Sequence, residues 1–71
     1  MTALRTDVVE VRGMHCGGCE RTVSAAVRAL PGVELADADF VAEEVCVTFD
    51  PGRVGLDEIR TAVRDAGFSP A

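Results

Sequence analysis

Polar and apolar positions alternate along this chain with two different periods, and each change of period marks an element. Residues 6–12 (TDVVEVR) set Val9 and Val11 against Glu10 and Arg12, a period of two that reads as a strand with one buried face. Gly13 breaks it. Residues 14–19 (MHCGGC) carry two adjacent glycines and read as an irregular turn. Residues 19–30 (CERTVSAAVRAL) switch to a helical period, with Val23, Ala26, Val27 and Leu30 at i, i+3, i+4 and i+7. Glu20 and Arg21 read as its solvated first turn. Pro31-Gly32 ends it.

The period of two returns in residues 33–40, with Ala36, Ala38 and Phe40 facing one way and Asp37 and Asp39 the other. It recurs in residues 44–50, where Val45, Val47 and Phe49 oppose Cys46 and Thr48. A short connection makes these two strands an antiparallel hairpin. Asp50-Pro51-Gly52 is a turn signal. Residues 56–66 form a second amphipathic helix on Ile59, Ala62, Val63 and Ala66, with Asp57 and Glu58 at its dipole-favoured start and Gly67 as its C′ residue. Residues 68–71 suit a very short edge strand, the one place Pro70 is tolerated. The order is β-α-β-β-α-β. Each strand has one apolar face, so both helices must cover the same side of one antiparallel sheet. The expectation is an α+β, ferredoxin-like βαββαβ sandwich.

Composition narrows the function. A chain of 71 residues without Trp or Tyr is one small domain, 1–71, with no room for a second. A net charge of −5 argues against a nucleic-acid backbone binder. No apolar run approaches the ~20 residues of a membrane helix, and no export signal opens the chain, so a cytoplasmic protein is expected. Three cysteines, an odd number without an export signal, argue for reduced thiols rather than a disulfide framework. No acid–base pair, phosphate loop or spare pocket suggests an enzyme.

Two of those cysteines, Cys16 and Cys19, stand as a C-x-x-C between the first strand and the first helix. Thiols at this spacing on a glycine-rich turn can converge on one ion. The orphan N–H groups and dipole of a helix start favour thiolate, the ligating form. Two soft sulfur ligands without a full set of four favour Cu(I) over structural Zn²⁺.

Gly13-Met14-His15-Cys16-Gly17-Gly18-Cys19 resembles the GMxCxxC signature of the heavy-metal-associated domain family, which includes small copper chaperones and the metal-binding domains of copper-transporting P-type ATPases. Pro31-Gly32-Val33, residues 45–51 (VCVTFDP) and Ala66-Gly67-Phe68 are similar to the family's segments at the same places. The resemblance implies Cu(I) held by Cys16 and Cys19 near the surface and passed by ligand exchange to a copper-transporting P-type ATPase. A monomer is expected, or a dimer in which two chains share copper through four thiolates. The resemblance also implies that Met14 packs inward and that Phe68 lies near the metal loop, where some relatives carry Lys, a residue this chain lacks entirely. The alternatives are a metal-binding domain belonging to such an ATPase, a Zn²⁺, Cd²⁺ or Hg²⁺ carrier, and a dithiol redox protein.

The remaining residues divide between chemistry and packing. His15 reads first as an exposed loop residue, with an auxiliary ligand role as the alternative. Cys46 is out of phase with Val45 and Val47, which sends it to the open sheet face, away from the loop. Met14 reads as core rather than as a thioether ligand.

Overall fold

The computed structural model describes residues 3–15 and 17–70. Its elements are β1 (Arg5–Arg12), α1 (Gly17–Arg28), β2 (Val33–Asp39), β3 (Glu44–Phe49), α2 (Leu56–Asp65) and β4 (Ser69–Pro70). The strands form one antiparallel sheet in the order β2-β3-β1-β4. This is the ferredoxin-like α+β architecture that the alternating periods predict.

The apolar stripes decide which face is covered. Val9 and Val11 of β1, Ala36 and Ala38 of β2, and Val45, Val47 and Phe49 of β3 are buried. Val23 and Val27 from α1 and Ile59 and Val63 from α2 join them in a single core. The alternate strand residues, among them Val8, Leu35 and Cys46, stand exposed on the other face. Cys46 pairs with Val8 on one side and Asp37 on the other, in the middle of the sheet. Val54, in the segment leading to α2, is also buried at 2% exposure, held by its N–H donating to the Asp50 carbonyl at 3.1 Å.

Several boundaries differ from the periodic reading, each for a local reason. α1 begins at Gly17, two residues ahead of Cys19. First-turn N–H groups have no intrahelical acceptor in any case, so glycine weakens a helix least there. The apolar stripe also extends back one turn, because Cys19 lies four residues before Val23 and packs against the core. At its other end α1 stops at Arg28, and the Leu30 N–H donates to the Val27 carbonyl at 3.1 Å. That tightened turn precedes Pro31, which disfavours helical backbone at the residue before it. β2 carries a register shift between Val33 and Leu35, which lets Val33 and Ala36 share the covered face although they are three positions apart.

α2 ends in a Schellman motif. The Gly67 N–H donates to the Arg64 carbonyl at 3.0 Å and the Phe68 N–H to the Val63 carbonyl at 3.2 Å. Gly67 has φ +97°, a conformation side chains disfavour. The motif turns Phe68 back onto the core and delivers Ser69 and Pro70 to pair with Arg12 and Val11. Ala71, the end of the expected edge strand, lies outside the described residues.

Candidate metal centre

The motif from Gly13 to Cys19 runs from the end of β1 into the first turn of α1, at one end of the sheet. The sequence anchors it from both sides. Met14 follows the last turn of backbone out of β1 and is 5% exposed, part of the core. Cys19, in the first turn of α1, is half-buried and also packs against the core. His15, between them, is exposed. Cys16 lies outside the described residues. Among the described residues no group of three His, Cys, Asp or Glu gathers in a metal-holding cluster.

The Gly13 side of the segment meets the C-terminal end of the chain. Phe68, half-buried, brings its Cδ1 to 3.7 Å from the point a Cβ on Gly13 would occupy. Phe68 therefore stands beside the loop, as the resemblance to the heavy-metal-associated family implies. The surrounding surface is acidic. Asp39, Glu44 and Glu10 form one cross-strand row at this end of the sheet, and Glu10 is paired with Arg12 (Nε to Oε1, 3.2 Å). The connection from β2 to β3 is tied to β1 here too, because the Val11 N–H donates to the Glu43 carbonyl at 2.8 Å.

Cys46 is not part of this end. Its partner Val8 lies five residues before Gly13, roughly 16 Å along the strand. The expected separation of the third thiol from the loop is what the register gives.

One residue near the site was misread from sequence. Glu20 is not a solvated first-turn residue. Its Oε2 accepts the Phe40 N–H at 2.9 Å, joining the start of α1 to the end of β2. A signal for this was present: Glu20, Ser24 and Arg28 recur every four residues as a polar stripe beside the apolar one.

Comparison with known proteins points the same way as the motif. The heavy-metal-associated domain profile matches residues 8–69. A copper chaperone CopZ from Staphylococcus saprophyticus is 34% identical over 65 residues, which cover 92% of this chain and 96% of that protein. A copper-transporting ATPase from Oryza sativa subsp. japonica is 38% identical over 60 residues, covering 84% of this chain but only 6% of the ATPase. Among solved structures, a copper binding domain from a P-type ATPase superposes with a TM-score of 0.92 at 34% identity, covering 94% of this chain and 90% of that one.

Proposed function

The chain belongs to the heavy-metal-associated domain family, and on that footing we propose that it is a copper chaperone whose cargo is Cu(I), held by the thiolates of Cys16 and Cys19. The observation that carries this reading is the anchoring of the loop. Met14 is buried on one side of Cys16 and Cys19 packs at the start of α1 on the other, so the backbone flanking the first thiol is anchored to the core at both ends. Residues 1–71 act as one heavy-metal-associated domain in this reading, binding and handing on an ion without catalysing a reaction. A reducing compartment, the cytoplasm, keeps both cysteines as thiols.

The chemistry of transfer follows from the ligand number. Cu(I) tolerates two or three thiolates. A thiolate from the partner adds to the two-coordinate ion, and one of the chain's own thiolates then leaves. The acceptor is a copper-transporting P-type ATPase. The acidic row at the loop end of the sheet favours a basic docking face and acts on encounter more than on affinity. Met14 stays in the core throughout, and His15 remains in solvent.

A second reading has its own support. The match to a copper-transporting ATPase, of which this chain spans only 6%, fits a metal-binding domain of such a transporter equally well. The two readings share the site and differ in the route the ion takes.

Anaerobic titration against a competing Cu(I) chelator, with Zn²⁺, Cd²⁺ and Hg²⁺ in parallel, tests the site. One Cu(I) per chain is expected, abolished in Cys16→Ser and in Cys19→Ser. Preference for another of these ions, or copper binding that survives both substitutions, overturns the proposal. A disulfide-linked catalytic cycle that needs no metal would replace it with a redox function.

A further inference from the structure

α1 runs antiparallel along the outer edge of β2, and three of its side chains bond to that edge. The Phe40 N–H donates to Glu20 Oε2 at 2.9 Å, the Ala38 N–H donates to Ser24 Oγ at 3.1 Å, and Arg28 Nη2 donates to the Ala36 carbonyl at 3.1 Å. Four helical residues rise about 6 Å. Two strand residues span about 6.6 Å. Side chains at 20, 24 and 28 therefore keep step with backbone groups at 40, 38 and 36. An edge strand otherwise presents these groups unpaired.

The three bonds differ in what they hold. Ser24 and Arg28 act on the middle and end of α1, where Val23 and Val27 already fix the helix by burial. Glu20 acts on the first turn. That turn contains Gly17 and Gly18, which have no side chains to pack. Glu20 Oε1 lies 3.9 Å from the point a Cβ on Gly17 would occupy, so the carboxylate spans the turn as well as bonding to β2. Its bond to Phe40 is charge-assisted and partly buried, the stronger kind.

We propose that Glu20 is a positioning residue for Cys19: it fastens the glycine-rich first turn of α1 to the end of β2, so that the adjacent thiol is held in place before metal arrives. The proposal rests on the reading that Cys19 is a Cu(I) ligand. Without the bond the packing of Cys19 is left to hold the turn, which then frays more readily because glycine backbone is the most costly to order, and the ligand pair must be organised at the expense of binding.

Three variants of the full chain test it: Glu20→Ala, Glu20→Gln and Arg28→Ala. Two measurements are made on each. The first is amide hydrogen exchange of the metal-free protein at Arg21 and Thr22, whose N–H groups close the first turn onto the Gly17 and Gly18 carbonyls by the helical i→i−4 pattern. The second is Cu(I) affinity by chelator competition. Glu20→Ala should speed exchange at these two amides by about tenfold and weaken Cu(I) binding by a similar factor. Glu20→Gln keeps a carbonyl acceptor for Phe40 and should restore most of both. Arg28→Ala removes an equivalent strand bond and should leave affinity within about twofold. Parent-like affinity in Glu20→Ala, or an equal loss in Arg28→Ala, overturns the proposal. A parent that binds no Cu(I) brings down the metal reading instead. Exchange at Arg21 and Thr22 then still decides whether Glu20 holds the turn.

Discussion

The ring of Phe68 rests against Gly13, its Cδ1 3.7 Å from where a side chain at that glycine would begin. The contact closes one side of the β1–α1 loop with a residue from the far end of the chain. The Schellman turn after α2 sets it up, since the Phe68 N–H is bonded to the Val63 carbonyl. Phe68→Ala should therefore cost about 2 kcal/mol in urea denaturation, below the ~3–5 kcal/mol of a fully buried aromatic because Phe68 is half-buried. In the copper reading the same variant loses Cu(I) to air oxidation faster than the parent. Phe68→Leu should keep most of the stability. A Phe68→Ala protein as stable as the parent would show that the ring is not packed as described.

Met14 separates packing from ligation. At 5% exposure its thioether lies within the apolar core, beside the loop but not facing solvent. Met14→Leu conserves volume and removes the sulfur. It should cost less than about 1.5 kcal/mol and leave Cu(I) affinity unchanged. Met14→Ala should cost about 2–5 kcal/mol through the cavity it leaves. A large drop in affinity for the Leu variant at parent-like stability would make the sulfur a ligand.

The parts of this fold that were legible in the sequence are those written as long periodic runs. The alternation at Val9 and Val11, at Ala36 and Ala38, and at Val45 and Val47 separates the two sheet faces without ambiguity, and Cys46 falls on the open face by phase alone. The helical stripes place Val23, Val27, Ile59 and Val63 in the core in the same way. What escaped was set by single local events. The register shift at Val33 and Leu35 breaks the period within one strand. Val54 is buried by a turn hydrogen bond, not by any repeat. Gly17 and Gly18 are poor helix formers by propensity, yet they enter α1 because the packing of Cys19 and Val23 extends the helix over them. At the β1–α1 loop, the C-x-x-C spacing named Cys16 and Cys19 as candidates and the family resemblance named Met14, whereas the bond from Glu20 to Phe40 joins residues twenty apart and follows only from the docking of α1 on β2.

Gly32 is required on steric grounds that can be measured. It has φ +100°, and a Cβ there would lie 2.9 Å from Cβ of Arg53 and 3.1 Å from Cγ1 of the buried Val54. The first clash is with an atom next to the backbone, so a side-chain rotation cannot relieve it. The backbone must shift, and with it the bond from the Asp50 N–H to the Gly32 carbonyl at 2.8 Å. Gly32→Ala should lose about 1–2 kcal/mol for the backbone conformation and a further ~1–3 kcal/mol for overpacking. Thermal and urea unfolding both check this. A loss under 1 kcal/mol would mean that the turn relaxes freely.

Gly55 is the opposite case. It is the N-cap of α2 with extended backbone, φ −112° and ψ 168°, and makes no side-chain capping bond. A side chain there would meet nothing within 4 Å. Gly55→Ser should stabilise the protein by roughly 0.5–1 kcal/mol, by capping a first-turn N–H and by restricting the unfolded chain. An unchanged unfolding midpoint would contradict this.

His15 and Cys46 carry the sharpest test of where the metal chemistry ends. Both are ligand types, both are exposed, and neither is packed against the core. Cys46 sits between Val8 and Asp37 on the open face, roughly 16 Å along the strand from Gly13, too far for one ion to bridge it to the loop within a single chain. Cys46→Ser should therefore change stability by less than about 0.5 kcal/mol and leave the copper stoichiometry intact. It should also abolish any dimer that forms in air through a Cys46–Cys46 disulfide. In the copper reading His15→Ser should likewise leave affinity for Cu(I) nearly unchanged, because the two thiolates of the loop hold the ion without an imidazole. The informative comparison is the double variant under anaerobic titration. If His15→Ser combined with Cys46→Ser still binds one Cu(I) with parent affinity, the thiol pair of the loop is sufficient. A loss confined to His15→Ser would place the imidazole in the coordination shell, and a loss confined to Cys46→Ser would require copper shared between two chains.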